Sequence, residues 1–500
     1  MGRKNQKKQN NAAKTENAKK LSPQKRNELN SLVESLLKLG FKQANNPTEM
    51  WNQYNELQSL LDRVIAIENS VKLKNSSNSN KLRTNKIENF IKWAKENGAL
   101  FDKVKISEFP GYELGLEATA EIKKGETLIT VPRKIMMSEL TVPSNKIGTD
   151  IPFFDTMANV KLAFILLLEK LDENSFWKPF IDILPEQYST VMYFNYSEMQ
   201  ELKGSNCFSN ALNQCKSIAR QYAFIYKCVQ TSKEAEILKE KFSYEMYRWA
   251  VSTVMTRQNF IPEFSGKNID ENSANAVIPA LIPLWDMANH RDGEVTSSYN
   301  LDHERLESNA LFDFNVGEQI FIYYGNRSNA DLLIHNGFIY PDNSADSVSI
   351  RLGLGNHDEL YKEKTKLLDK LDIANNCELK VLPAPKYISP HLLGFVRVFH
   401  MNKDQLDHWV NSERTTDLLH IDCALETSLE SKTWQFLQNR LEILLRVFPT
   451  TLEADEITFA NFKKGQIKLG HIKSMLLHYR ILEKKILLNA LDYAKQRTKA

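Results

Sequence analysis

Five hundred residues, 42% hydrophobic and 25% charged, describe a soluble chain with room for two or three domains. The net charge of +3 is too small to indicate a nucleic-acid partner. It is also unevenly placed: residues 1–40 hold ten Lys/Arg and three Asp/Glu, net +7, which leaves about −4 for the rest. The five cysteines (Cys207, Cys215, Cys228, Cys377 and Cys423) form no CxxC pair and no zinc pattern. With no apolar window near the roughly 20 residues that cross a bilayer and no signal-peptide core, the expected location is cytoplasmic, with a nuclear location also open.

In chain order, residues 1–27 read as a disordered basic tail and 28–82 as N-terminal helices. Leu29, Leu32, Val33, Leu36 and Leu37 fall at helical spacing before Gly40, and a second helix is expected from about Pro47 to Lys74. The polar run Asn75–Asn80 predicts a loop, and Lys86–Asn97 a short helix stopped by Gly98. Ala118–Pro132 has a hairpin-like pattern that recurs, degenerate, in Phe312–Tyr323: an apolar stretch, a Gly-Glu turn, then alternation. Phe312–Ile322 accordingly reads as two short strands about Val316-Gly317-Glu318. Between these β units, 155–257 is helical by periodicity, as in Val160, Ala163, Phe164, Leu167, Leu168 and Leu171. Helices return after about Tyr361, at His391–His400, Gln405–Ser412, Lys432–Phe448 and Ile467–Tyr493.

The chain lacks GxSxG, GxxxxGK[ST] and HExxH, and no spacing among its ten histidines suggests a metal site. Its most informative stretch is 278–337. An apolar run broken by two prolines, Ile278 to Trp285, turns into Asp286-Met287-Ala288-Asn289-His290, and the alternating segment after Glu318 ends in Tyr323-Tyr324-Gly325. Polar side chains at the ends of apolar elements are where sites are usually built. Taken alone, Asn289-His290 is more often a turn feature and the tyrosine pair more often core.

Asn289-His290 followed by Tyr324-Gly325 resembles the paired core motifs of SET-domain protein methyltransferases. The longer string Leu284–His290, with Met255-Thr256-Arg257-Gln258-Asn259 upstream, resembles the actin-histidine methyltransferase branch. The resemblance runs from about Arg83 to the last helices. It implies an α+β fold: a SET-type β core of short strands with a knot-like crossing (83–360), the helical insertion 155–257, and an all-α C-terminal domain (361–500) like the substrate-binding domain of Rubisco lysine methyltransferases. One local departure is Glu113-Leu114-Gly115-Leu116, where the family usually carries Gly-Phe-Gly-Leu or similar.

The implied cofactor is S-adenosyl-L-methionine and the implied protein partner is actin, methylated at the distal ring nitrogen of a histidine. The resemblance places Arg83, Arg257 and Asp286-Met287-Ala288-Asn289-His290 at the cofactor, with Tyr112, Glu113 and Leu114 on one shelf and Asn336, Gly337 and Phe338 on another. Arg83 by default would be a solvated cation, and for Phe338 core packing competes with stacking near the adenine. Tyr324 and Asn259 are the expected catalytic residues; a strand sends Tyr323 to the opposite face. Asn259 and Trp285 bear on the substrate: an amide that holds one imidazole nitrogen fixes the tautomer, and an indole walls the ring. Ile322 and Arg327 complete the expected substrate-binding set. A protein-lysine methyltransferase of the Rubisco type and a non-catalytic scaffold are the alternatives.

Overall fold

A computed structural model describes residues 21–71, 83, 85–142, 157–232, 236–263, 276–423 and 425–499. The Asn75–Asn80 loop and most of the expected tail lie outside the described residues. The tail ends sooner than 27, because a helix runs over Pro23–Phe41, its N-terminus capped by the Ser22 hydroxyl with proline in the first turn. A second helix, Pro47–Asn69, starts at the Asn46 side chain. Ile87–Glu96 follows, then three strands: β1 (Val104–Phe109), β2 (Glu113–Ala118) and β3 (Thr127–Pro132).

After the helical insertion come β4 (Gln258–Pro262), β5 (Val277–Leu281), β6 (Asn289–His290), β7 (Ser297–Asn300), β8 (Arg305–Asn309) and β9 (Gln319–Ile322). They form small sheets with orders β1-β2-β9-β6, β3-β8-β7 and β4-β5. The two Gly-Glu units are structurally alike, but neither folds back on itself as a hairpin. β3 pairs with β8, and the first arm of the second unit is no strand; Phe314 instead bridges Ile122 in the first. Ala118 N donates to Glu318 O (2.9 Å) and Gly317 N to Ala118 O (2.8 Å), so the repeats pair with each other. In both turns the glycine takes positive φ, and the glutamate carboxylate accepts a backbone N–H three residues earlier, Lys123 in one and Asn315 in the other.

Within the insertion, Ala158–Leu171 is apolar nearly all round and correspondingly buried, packed against the Tyr244–Arg257 helix. The amphipathic Phe208–Thr231 helix packs on the two N-terminal helices.

The C-terminal region is helical but not all-α: β11 (Asn376–Val381) pairs antiparallel with β10 (Val348–Gly353). The Leu452–Lys463 helix was absent from the expected set. The last helix, His471–Lys499, joins the two hydrophobic cores. Met475, Leu476 and Tyr479 belong to the core of the β sheets and insertion, whereas Ile486, Leu487 and Leu491 belong to that of the C-terminal helices. Among the described residues no helix is long and apolar enough to cross a membrane.

Candidate active site

Parallel pairing of β6 with β9 builds the centre of the site, setting Asn289 opposite Phe321 and His290 opposite Ile322. Tyr324, two residues beyond β9, then reaches back along β6: its hydroxyl donates to Ala288 O (2.7 Å) and its backbone N–H to His290 Nδ1 (3.2 Å). Accepting at Nδ1 holds the imidazole neutral. Burial lowers the His290 pKa and nearby Arg327 adds to this, against the opposing effect of Asp292. Burial pushes the Tyr324 phenol up to about 12, so it stays protonated at neutral pH. β9 ends at Ile322, so the expected strand alternation does not reach the tyrosines: Tyr323 also packs on His290, ring centroids 5.9 Å apart, and its hydroxyl donates to the exposed Asn326 side chain. The Phe338 ring stands edge-on to Tyr324 at 6.2 Å and tilted to His290 at 6.1 Å, a packing position within the site.

Two guanidinium groups approach from outside the β core. Arg83 is buried; its Nε donates to Ile183 O (2.5 Å) and its Nη1 pairs with Glu113 (3.0 Å), so it is not a solvated cation. Burial and then the neighbouring Arg257 hold its pKa below the ordinary value. Arg257 ends the Tyr244–Arg257 helix and donates to Asp286 O (2.7 Å), with the Asp286 carboxylate 3.4 Å away. Burial pulls the Arg257 pKa down, but Asp286 and Tyr188 more than offset it. Asp286 sits in the turn Trp285–Met287 beside the buried Met287; burial raises its carboxyl to about 6, and among the described residues neither oxygen accepts a hydrogen bond.

The Arg257–Asp286 pair also carries the expected substrate residues, since Asn259 lies two positions past the arginine and Trp285 directly before the aspartate. Asn259 Oδ1 accepts from Phe260 N (2.8 Å), which identifies the oxygen end of the amide and leaves it a second lone pair. Trp285 Nε1 donates to Ser297 Oγ (2.9 Å), which pins the indole.

The first shelf is a cleft of about 510 Å³ lined by Arg83, Phe109, Glu113 and Leu114. Asn289 Nδ2 donates to the carbonyl of the lining residue Leu114 (3.3 Å), while Tyr112 stands edge-on to Phe321 at 5.7 Å. A Cβ on Gly115 would lie 2.6 Å from Gln319 Nε2 and 2.9 Å from Asn289 Nδ2. This glycine, shared with the family string, lets the two amides approach the strand. On the second shelf Arg327 Nη1 donates to Asn336 Oδ1 (2.8 Å), joining an expected substrate contact to an expected cofactor contact. Gly337 is pressed against Ser189 and Thr190, and its carbonyl accepts from the Ser189 hydroxyl (2.6 Å).

Sequence reasoning missed Ser189 and Tyr188, whose hydroxyl meets Thr253 Oγ1 (2.8 Å) beside both arginines. They lie in the helical insertion without a motif, and only packing brings them here.

Comparison with known proteins decides the family. The chain is 45% identical to the actin-histidine N-methyltransferase of Drosophila melanogaster, over 96% of this chain and 91% of that protein. The protein belongs to the actin-histidine N-methyltransferase family. The family member from Xenopus tropicalis is 37% identical, over 94% of this chain and 80% of that protein. Residues 355–487 match the Rubisco LSMT substrate-binding family. The fold is similar to that of the SET domain of LSMT bound to lysine and AdoHcy, with a TM-score of 0.64 and 19% identity, covering 83% of this chain and 91% of that one. Rubisco LSMT bound to AdoMet gives a TM-score of 0.62 at 18% identity, covering 83% and 92%. In this actin-histidine methyltransferase family member, then, a SET-like β core is followed by a region of the LSMT substrate-binding type.

Proposed function

We propose that this chain transfers the methyl group of S-adenosylmethionine to the distal ring nitrogen of a histidine in actin. The observation that carries the reading is the likeness, over nearly the whole chain, to actin-histidine N-methyltransferases. The local chemistry fits the cofactor. Arg257 lowers the Arg83 pKa despite Glu113, so a cofactor carboxylate beside the two guanidinium groups is electrostatically favoured. Among the described residues, neither Asp286 carboxylate oxygen nor Arg257 Nε has a hydrogen-bond partner, and Leu114, whose carbonyl the Asn289 side chain holds, lines the cleft with Arg83.

Bound S-adenosylmethionine supplies a methyl group made electrophilic by a sulfonium. The chain's own residues hold, orient and dry the reacting pair. Tyr324 commits its proton to Ala288 O, which leaves phenol lone pairs to face the methyl. His290, kept neutral, adds no positive charge beside the sulfonium. Asn259 Oδ1, oriented by Phe260 N–H, takes the proximal N–H of the target imidazole into its remaining lone pair. That places the proton on the proximal nitrogen and leaves the distal nitrogen with the nucleophilic pair. Imidazole, with a reference pKa of about 6.5, is mostly neutral at cellular pH, whereas lysine at about 10.4 must first lose a proton.

The test is incubation with actin and methyl-labelled S-adenosylmethionine, followed by peptide mapping by mass spectrometry. One monomethylated actin histidine is expected. Label on lysine, or none on actin, overturns the reading.

A further inference from the structure

A second cleft, also of about 510 Å³, shares no residue with the site above. It lies between the two N-terminal helices and the Phe208–Thr231 helix. Lys216 and Arg220, one helical turn apart, line it together with Lys42, and among the described residues no Asp or Glu does. Lys216 Nζ donates to Lys42 O and to Gln53 Oε1 (2.7 Å). The Arg220 guanidinium lies over the Phe41 ring, 5.3 Å from its centroid, and among the described residues no acceptor takes its N–H groups.

The close approach that sets Arg220 here depends on Gly40, since a Cβ there would fall 2.6 Å from Arg220 Cβ. Elsewhere on the same helices charges are matched, with Lys227 on Glu34 (2.5 Å) and Arg63 on Glu28 (3.2 Å). In the cleft, burial lowers the Lys216 pKa, and repulsion from Arg220 and Lys42 lowers it further, with no carboxylate opposing. Like charges gathered in a cleft destabilise a fold unless something of opposite sign enters. The floor is apolar, formed by Met50, Leu57 and Leu212.

We propose that this cleft is a non-catalytic docking site for an acidic peptide segment of a partner protein, with a carboxylate bridging Lys216 and Arg220 and a neighbouring apolar side chain seated on Met50, Leu57 and Leu212. A peptide uses both halves of the site: the cations take the carboxylate and the floor takes the apolar side chain. Inorganic phosphate would use only the first. A pocket of several hundred cubic ångströms also suits a few side chains better than one small ion.

The test is fluorescence polarisation of the full chain with a labelled hexapeptide of alternating glutamate and leucine, beside a control with serine for leucine. Binding of the leucine probe is expected to be saturable, to weaken as salt is raised and to exceed that of the serine probe. Lys216→Gln and Arg220→Gln should each weaken it about tenfold, the effect of losing a hydrogen bond to a charged group. Lys227→Gln should leave it unchanged, and methylation should be unchanged in all three. Arg220→Lys keeps the charge and should retain most of the binding, which separates loss of charge from loss of fold. Equal affinity of wild type and the Lys216 and Arg220 variants overturns the proposal. So does equal binding of the two probes with displacement by inorganic phosphate, which would make this a simple anion site.

Discussion

Tyr323 and Tyr324 are chemically identical neighbours that both pack on the His290 ring, yet only the Tyr324 hydroxyl reaches Ala288 O; that of Tyr323 donates to the exposed Asn326 side chain. The motif singled out Tyr324 in the sequence; the acceptor of the phenol proton was not legible there, since Ala288 O arrives through parallel pairing of β6 with β9. Tyr324→Phe keeps the ring packed on Phe338 and His290 and removes only the hydroxyl. Calorimetry should find cofactor affinity near wild type, while single-turnover rates fall about tenfold or more, one tenfold step being about 1.4 kcal/mol. Undiminished turnover would remove the hydroxyl from the chemistry. Substrate choice rests on Asn259 and Trp285. Asn259→Phe removes the amide that would hold the target imidazole, a loss of roughly 1–3 kcal/mol or about ten- to a hundredfold in histidine methylation. Combined with Trp285→Ala, which opens space, it should raise methylation of a peptide carrying lysine at the target position. Matched histidine and lysine peptides assayed with wild type and double variant check this.

At the scale of elements, glycines mark where segments must touch or turn. The Gly-Glu repeat was visible in sequence, but an alternating pattern states only which face is buried, not which segment pairs with it. Hence the expected hairpins became a pairing of one repeat with the other. Gly317 and Gly337 separate two demands on glycine. Both have positive φ, +86° and +77°, but a Cβ meets nothing within 4 Å at Gly317, whereas at Gly337 it would lie 2.7 Å from the Ser189 carbonyl carbon. Gly317→Ala should therefore lose only the left-handed penalty of about 1–2 kcal/mol. Gly337→Ala adds overpacking of about 1–3 kcal/mol and should also depress activity, because the shelf beside Phe338 must shift. Urea denaturation of the two variants provides the comparison, and equal losses would deny the contact any role.

For the whole molecule, the last helix is the connection that no motif announces. Arg480 pairs with Asp455 (2.8 Å) in the C-terminal region and with Glu201 (2.5 Å) in the insertion, and Lys484 brings a second cation to Asp455 (2.6 Å). One turn on, Glu483 is buried and accepts from Asn206 N (2.9 Å), while its other oxygen has no partner. Burial raises the Glu483 carboxyl to about 7, with nearby Asp346 adding to the rise and Lys484 opposing it. A carboxyl whose folded pKa exceeds its unfolded value near 4.5 favours the folded state at low pH. That contribution is lost as pH rises toward 7 and stays lost above it. Glu483→Gln keeps an acceptor for Asn206 N and does not ionise. Its thermal stability relative to wild type should therefore grow from pH 4.5 to about pH 7 and then level off, by roughly 1–3 kcal/mol. A difference independent of pH would show that Glu483 does not titrate in that range.

Local pattern and motif by themselves determined the helical insertion, most helices of the C-terminal region and the family string from Leu284 to His290, because each is written within a few residues of itself. Tertiary structure alone decided that Arg83 and Arg257 come near each other, that Asp286 is buried against Arg257, that Ser189 presses on Gly337, and that β11 pairs with β10 inside a helical region. Those contacts join residues tens to more than a hundred positions apart. Burial, charge and hydrogen bonding act on them only after the chain has closed, so no local periodicity records them.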